Sequence, residues 1–221
     1  MSPQILSLLF DSLLQTLWMV AVSGVLGTVI GTPIGLLLAT TGRGELLQCW
    51  TFNRIGGVII NATRSTPFII LVVAIIPFTR LITGTSIGTN AAIVPLTVAA
   101  APFIARIVEA AIRAVEPGLI EAAQAMGATP LQIIGRVLLP EALPAIVLGL
   151  TLAAVSLVGY SAMVGAVGGG GLGDLGIRYG YQRFLPDVMA AVVIVLILLV
   201  QLIQSLGEAI ARRVNKRQIT R

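Results

Sequence analysis

From Ser12 to Gly42 the chain carries no charged residue. A helix needs roughly 20 apolar residues to cross the hydrocarbon core of a bilayer, and backbone groups in that core must be paired within the segment itself. This run exceeds the requirement, so a first membrane span is expected over about residues 14–40. It does not read as a removable signal peptide, because Asp11 stands where a basic n-region would lie and the apolar stretch is too long. Ser23, Gly27, Gly31 and Gly35 recur every four residues, a stripe of small side chains along which another helix can approach closely. Pro33 predicts a kink or a freed carbonyl near the helix end.

The rest of the chain repeats the theme. Of 221 residues, 57% are hydrophobic and 10% charged, which excludes an ordinary soluble domain and implies an all-α integral membrane protein. The sequence has no histidine, its one lysine is Lys216, and its one cysteine is Cys49. An internal disulfide, a His-containing metal site, a His-based catalytic triad and a P-loop are therefore all missing, no metal or catalytic residue is expected, and any ATP chemistry has to come from a partner.

Four further spans are expected over about residues 55–81, 91–107, 142–164 and 188–206. The second holds Arg64-Ser65-Thr66-Pro67-Phe68-Ile69, in which Pro67 either starts a helix afresh or bends one, and Arg64 either snorkels to headgroups or packs against neighbouring helices. Beyond the third span the helix is expected to continue into water, with Arg106, Glu109, Arg113 and Glu116 alternating in sign along one solvated face. The fourth span carries Ser156, Tyr160, Ser161 and Met163 near its far end, candidates for a gate or pathway. Met163 is assigned to the gate because methionine is long, flexible and apolar and fills irregular gaps. Gly165–Gly176 holds seven glycines and is expected to be a flexible loop. Its match to G-x-G-x-x-G is rejected, since it follows a membrane helix and not a strand. Tyr179, Tyr181, Arg183 and Phe184 suit an interface, and Arg212, Arg213, Lys216, Arg217 and Arg221 form a basic tail.

Between the third and fourth spans lies EAAQAMGATPLQIIGRVLLP, from Glu121 to Pro140. Residues from Pro117 to Met126 read as a short helix that Gly127 ends, because glycine takes a left-handed C-terminal position without steric cost. Thr129, Pro130 and Gln132 supply a capping box and a first-turn proline, so a second short helix follows and is expected to end before Pro140. Leu131, Ile133, Ile134, Val137 and Leu138 are available for burial.

This stretch resembles the cytoplasmic signature loop of ABC importer permeases: Glu-Ala-Ala, three residues, Gly, nine residues, Ile, one residue, Leu-Pro. Here the matching residues are Glu121, Ala122, Ala123, Gly127, Leu139 and Pro140, with Val137 in place of isoleucine. In that family the loop is a coupling helix that docks in a groove on a separate ATPase subunit. Ser65–Thr79, Gly88–Ile107 and Gly159–Gly173 further resemble permeases of methionine importers, five-span members of the amino-acid ABC importers. The resemblance implies a type I ABC importer fold and a non-enzymatic permease driven by alternating access. Its implied partners are a second permease copy, two ATPase subunits that hold ATP and Mg, and an external substrate-binding protein. A permease for another small amino acid and an ion-coupled secondary transporter are the alternatives, the last opposed by spans that lack a central acidic residue or histidine.

Orientation follows from the basic residues. With the N-terminus outside, the inner face holds 11 (Arg43, Arg54, Arg64, Arg106, Arg113, Arg136 and the five of the tail) and the outer face 3 (Arg80, Arg178, Arg183). The charge excess of +5 thus reports orientation in a bacterial inner membrane and not nucleic-acid binding.

Overall fold

A computed structural model describes residues 3–42, 46–47 and 49–215. Arg43 and the tail residues Lys216, Arg217 and Arg221 lie outside the described residues. Ten α-helices are present among them: α1 Pro3–Thr40, α2 Trp50–Ser65, α3 Phe68–Ala74, α4 Ile76–Thr83, α5 Thr89–Arg113, α6 Pro117–Ala125, α7 Pro130–Ile133, α8 Leu139–Ala166, α9 Gly171–Leu175 and α10 Pro186–Val214. Four helical stretches are long and apolar enough to cross a membrane, namely Pro3–Thr40, Thr89–Arg113, Pro130–Ala166 and Pro186–Val214.

The second expected span is not one straight helix. α2 and α3 meet at 103°. Pro67 has no N–H to donate and disfavours helical geometry at the residue before it, and Thr66 is extended at φ −79°, ψ 125°. Of the two readings of Ser-Thr-Pro, the one realised is a helix begun afresh.

The small-residue stripe of α1 seats α5. Ser23, Gly27, Gly31 and Gly35 are all buried. A β-carbon on Gly31 would lie 2.5 Å from the Ala101 carbonyl oxygen, and one on Gly27 would lie 2.7 Å from the Ala100 β-carbon. The two backbones therefore approach as closely as glycine permits. α1 remains helical through Pro33 to Thr40. Around this seam Met19, Leu96, Ile104, Val108 and Leu157 are each at most 2% exposed and form the centre of the core, to which α3, α6, α8 and α10 add their inner faces.

Two expectations about loops are corrected. The glycine stretch is packed and not a flexible loop: Leu172 is fully buried, the Gly171 amide donates to Gln15 Oε1 at 2.8 Å, and the Leu172 amide donates to Thr16 Oγ1 at 2.9 Å. Gly165 and Gly173 have no room for a β-carbon against the backbone of residues 173–174 and of Ala162. Glycine here serves close packing, so that α9 folds back onto α8 and α1. The charged face at the end of α5 is likewise not solvated at its centre, since Glu109 is 5% exposed, and Glu116 lies outside α5, extended at the start of α6.

Candidate functional site

The loop between α5 and α8 has the local structure its sequence demands. Pro117 occupies the first turn of α6, where its missing N–H costs nothing. After Ala125 the chain turns through Gly127 at φ +79°. The Gly127 amide donates to the Gln124 carbonyl at 2.9 Å and the Ala128 amide to the Ala123 carbonyl at 3.1 Å, the paired bonds of a Schellman motif. Two residues later Thr129 caps α7. Its Oγ1 accepts from the Gln132 amide at 3.4 Å while Gln132 Oε1 accepts from the Thr129 amide at 2.9 Å.

α7 does not end before Pro140, as its spacing predicts. It passes through a wider π-helical turn, Ile134–Leu138, directly into α8, and Pro130–Ala166 forms one 37-residue helix. The Leu139 amide bonds back to the Ile134 carbonyl, five residues away. This wider turn accommodates Pro140, which has no N–H and whose ring would crowd the carbonyl four residues earlier in a regular helix. The loop and the fourth span are thus one continuous helix from Pro130 onward.

The matched residues divide by role. Ala123 is 4% exposed and packs with Ile133, Ile134 and Leu138, fixing the hairpin to the core. Glu121, Ala122, Gly127 and Pro140 are exposed, and Leu139 is half-buried. Leu131, expected to be available for burial, is instead 76% exposed, and Met126 beside the turn is 81% exposed. The capped hairpin thus leaves two large apolar side chains exposed. A groove of about 450 Å³ bounded by Leu46, Ile120, Glu121 and Gln124 lies on the same loop.

The second candidate group sits on α8. Leu148, Leu152 and Met163 are 44%, 59% and 48% exposed and share one stripe with half-buried Ser156 and Tyr160. Ser156 Oγ donates to the Leu152 carbonyl at 2.9 Å, which spends its polar group on its own helix. Tyr160 stacks on Phe68 of α3, ring centroids 4.4 Å apart. Ser161 does not belong to this face: it is 2% exposed, turned into the core, and bonded to the Val158 carbonyl. Helical periodicity explains the correction, because positions 156, 160 and 163 share a side and 161 does not. Arg64 packs instead of reaching away, its guanidinium carbon 5.8 Å from the Phe103 ring centroid, and Pro67 sets the α2–α3 elbow.

Sequence reasoning missed Asn61, Phe68, Gln15 and Thr16, and misplaced Arg106 and Glu109. Polar residues facing inward from apolar helices were the available signal. Arg106-x-x-Glu109-x-x-x-Arg113 was read as a surface ladder because its spacing fits one equally well.

The family model for "Binding-protein-dependent transport system inner membrane component" matches residues 31–218. The chain is 56% identical over 210 residues to a probable D-methionine transport system permease protein MetI of Vibrio cholerae serotype O1, covering 95% of this chain and 93% of that protein. A protein of the same name from Pasteurella multocida is 49% identical over 217 residues, covering 98% of this chain and 100% of the relative. Among solved structures, an inward-facing conformation of the MetNI methionine ABC transporter aligns with TM-score 0.95 at 53% identity, over 98% of this chain and 100% of that one. An amino acid ABC transporter crystallised with histidines aligns at TM-score 0.79 over 95% of both chains, and at 21% identity it shares the fold alone. With the capped hairpin at Glu121–Pro140 and four to five apolar helices, the chain belongs to the binding-protein-dependent transport system inner membrane component family, the ABC importer permeases, and has their type I fold.

Proposed function

We propose that this chain is the permease of a methionine importer, two copies of which enclose the pathway while two ATPase subunits, carrying ATP and Mg, dock on residues 117–140 and an external binding protein delivers the substrate. The 56% identity across 95% of the chain to a permease named for D-methionine carries the choice of substrate. The exposed pair Met126 and Leu131 on the capped hairpin supports docking there. Because α7 runs on into α8, an ATPase that pulls the hairpin moves the Leu148–Met163 stripe with it. Shifting a two-state gate from 1:99 to 99:1 takes about 5.5 kcal/mol, which ATP binding and hydrolysis supply. An ion-coupled mechanism has less support, since Glu109, the one buried carboxylate among the described residues, is held between two arginines.

Reconstitution with the cognate ATPase and binding protein is expected to give ATP hydrolysis and uptake that L- or D-methionine stimulates. Uptake driven by an ion gradient without ATP would overturn the proposal. In the same assay Met163→Ala, which opens the proposed gate, is expected to raise hydrolysis without binding protein and lower uptake per ATP. An unchanged ratio removes Met163 from the gate.

The arginine asymmetry supports an external N-terminus, a cytoplasmic loop at 117–140 and a cytoplasmic C-terminus. In a Cys49→Ser background, Gln182→Cys is expected to react with an impermeant thiol reagent from outside and Ala125→Cys only from inside. Both positions are exposed. Labelling of both from outside in intact cells would reject this orientation.

A further inference from the structure

In the last turns of α5 lies an ion network that no matched motif includes. Glu109 receives Arg106 Nη1 at 2.5 Å and Arg113 Nη2 at 3.0 Å. Arg106 also reaches across to α2, where Nη2 donates to the Gly57 carbonyl at 3.2 Å and to Asn61 Oδ1 at 3.0 Å. Arg113 Nη2 lies 3.4 Å from the Leu38 carbonyl near the end of α1. Three helices therefore meet on one carboxylate and two guanidinium groups.

α2 has few other anchors: Asn53 Nδ2 donates to the Leu38 carbonyl at 2.6 Å and to Thr41 Oγ1 at 3.3 Å at its start, and Ile60 packs with Leu38 and Ala105. Ile60 is its buried residue, while Ile55, Val58 and Ile59 are 57%, 63% and 60% exposed. Its polar contacts with α5 are those of Arg106 and of Arg64 over Phe103, beside the Ile60–Ala105 packing. At its other end comes the 103° elbow, and α3 begins with Phe68, 9% exposed and stacked on Tyr160 three residues before Met163.

We infer that Arg106, Glu109 and Asn61 are positioning residues that carry motion of the docked hairpin to the α8 stripe through α2 and α3, a second route beside the continuous α7–α8 helix. The inference rests on the reading that residues 117–140 dock the ATPase. α5 ends at Arg113 and α6 starts at Pro117, so a displaced α6 displaces the Arg113 end of the network first. Separating Glu109 from either arginine would strand a buried charge, so the network moves as a unit. Arg106 joins its three acceptors through one planar fork, which the point charge of a lysine cannot reproduce. α3, seven residues between breaks at Pro67 and Ile75, then turns as a short rigid piece against Tyr160.

The test uses the whole complex in proteoliposomes, with permease recovery, ATPase recovery, basal hydrolysis, hydrolysis stimulated by methionine-loaded binding protein, and uptake all measured. Asn61→Ala removes an acceptor from an exposed position on α2 and leaves the Glu109 pairs intact. The expected result is a loss of stimulation and uptake of about fivefold or more, within the usual range of coupling between sites. Basal hydrolysis and ATPase recovery stay normal, and Asn61→Asp restores stimulation. Adding Phe68→Leu to Asn61→Ala is expected to cost little more than either change alone, because both interrupt one route. Normal stimulation in both single variants overturns the inference, as does equal loss of permease in the Ala and Asp variants. If the unaltered chain retains no ATPase, the docking reading itself fails, a result separable from the others.

Discussion

Replacing Gly127 with valine is expected to abolish transport while leaving the permease in the membrane. The residue sits at φ +79°, where a β-branched side chain is strained, and nothing lies within 4 Å of the position its β-carbon would take. The penalty is therefore backbone strain and not a clash, of order 1–3 kcal/mol. It falls on the two Schellman bonds from Gly127 and Ala128 that set the angle between α6 and α7. The core beneath rests on the α1–α5 seam and on Ile133, Ile134 and Leu138, none of which touches residue 127's missing side chain. Hence permease abundance should stay near normal while recovery of ATPase on affinity purification falls several-fold and uptake is lost. Full ATPase recovery with normal uptake would show that the hairpin is not the coupling element. Glu121→Ala is the useful contrast. Glu121 is exposed and lies beyond the first turn of α6, so its removal changes fold stability by no more than about 0.5 kcal/mol. Any loss of ATPase in that variant reads a direct contact with the partner.

Gly35→Val is expected to produce the opposite phenotype, with loss of the permease itself. A β-carbon there lies 2.8 Å from the Val108 β-carbon and closer still to the Ala105 carbonyl oxygen. Neither is the far end of a flexible chain, so α1 and α5 have to part along the seam. Overpacking costs typically about 1–3 kcal/mol and more where backbone meets backbone, and in cells about 1–2 kcal/mol already changes abundance several-fold. Gly24→Ala is the control on the same helix, since its β-carbon meets only Leu157 Cδ1 at 3.6 Å, an ordinary contact. Membrane levels of the two variants, measured by quantitative immunoblot, should differ several-fold. Equal levels would mean that the seam tolerates separation and does not hold the fold together.

The two variants separate what local chemistry writes from what packing writes. At Gly127 and Thr129 the sequence alone was sufficient, because a left-handed C-terminal residue and a capping box involve neighbours within five positions. The α1 stripe was legible for a similar reason: its period of four names one face of one helix. Its partner was not, since nothing in Ser23, Gly27, Gly31 and Gly35 points to Ala100, Ala101 and Ala105.

Pro140 marks the boundary between the two kinds of knowledge. A proline after a short apolar helix reads as a stop, and only the wide turn at Ile134–Leu138 lets the helix pass it, joining the hairpin to the fourth span. Glu109 marks it again. A charge ladder at spacings of three and four reads as a wet surface, and only the arrival of α2 and the end of α1 from elsewhere in the chain buries its centre. The glycine stretch is the same case, since its composition permits either a mobile loop or close packing and the choice falls to Gln15 and Thr16, more than 150 positions earlier in the chain. The sequence by itself determined that this is a helical membrane protein, where its small-residue face lies and how the hairpin between α5 and α8 is capped, because periodicity, hydrophobicity and capping act over a few residues. Tertiary structure alone decided which polar groups are buried and which helices pack together, because those depend on the desolvation and pairing of groups far apart in the chain.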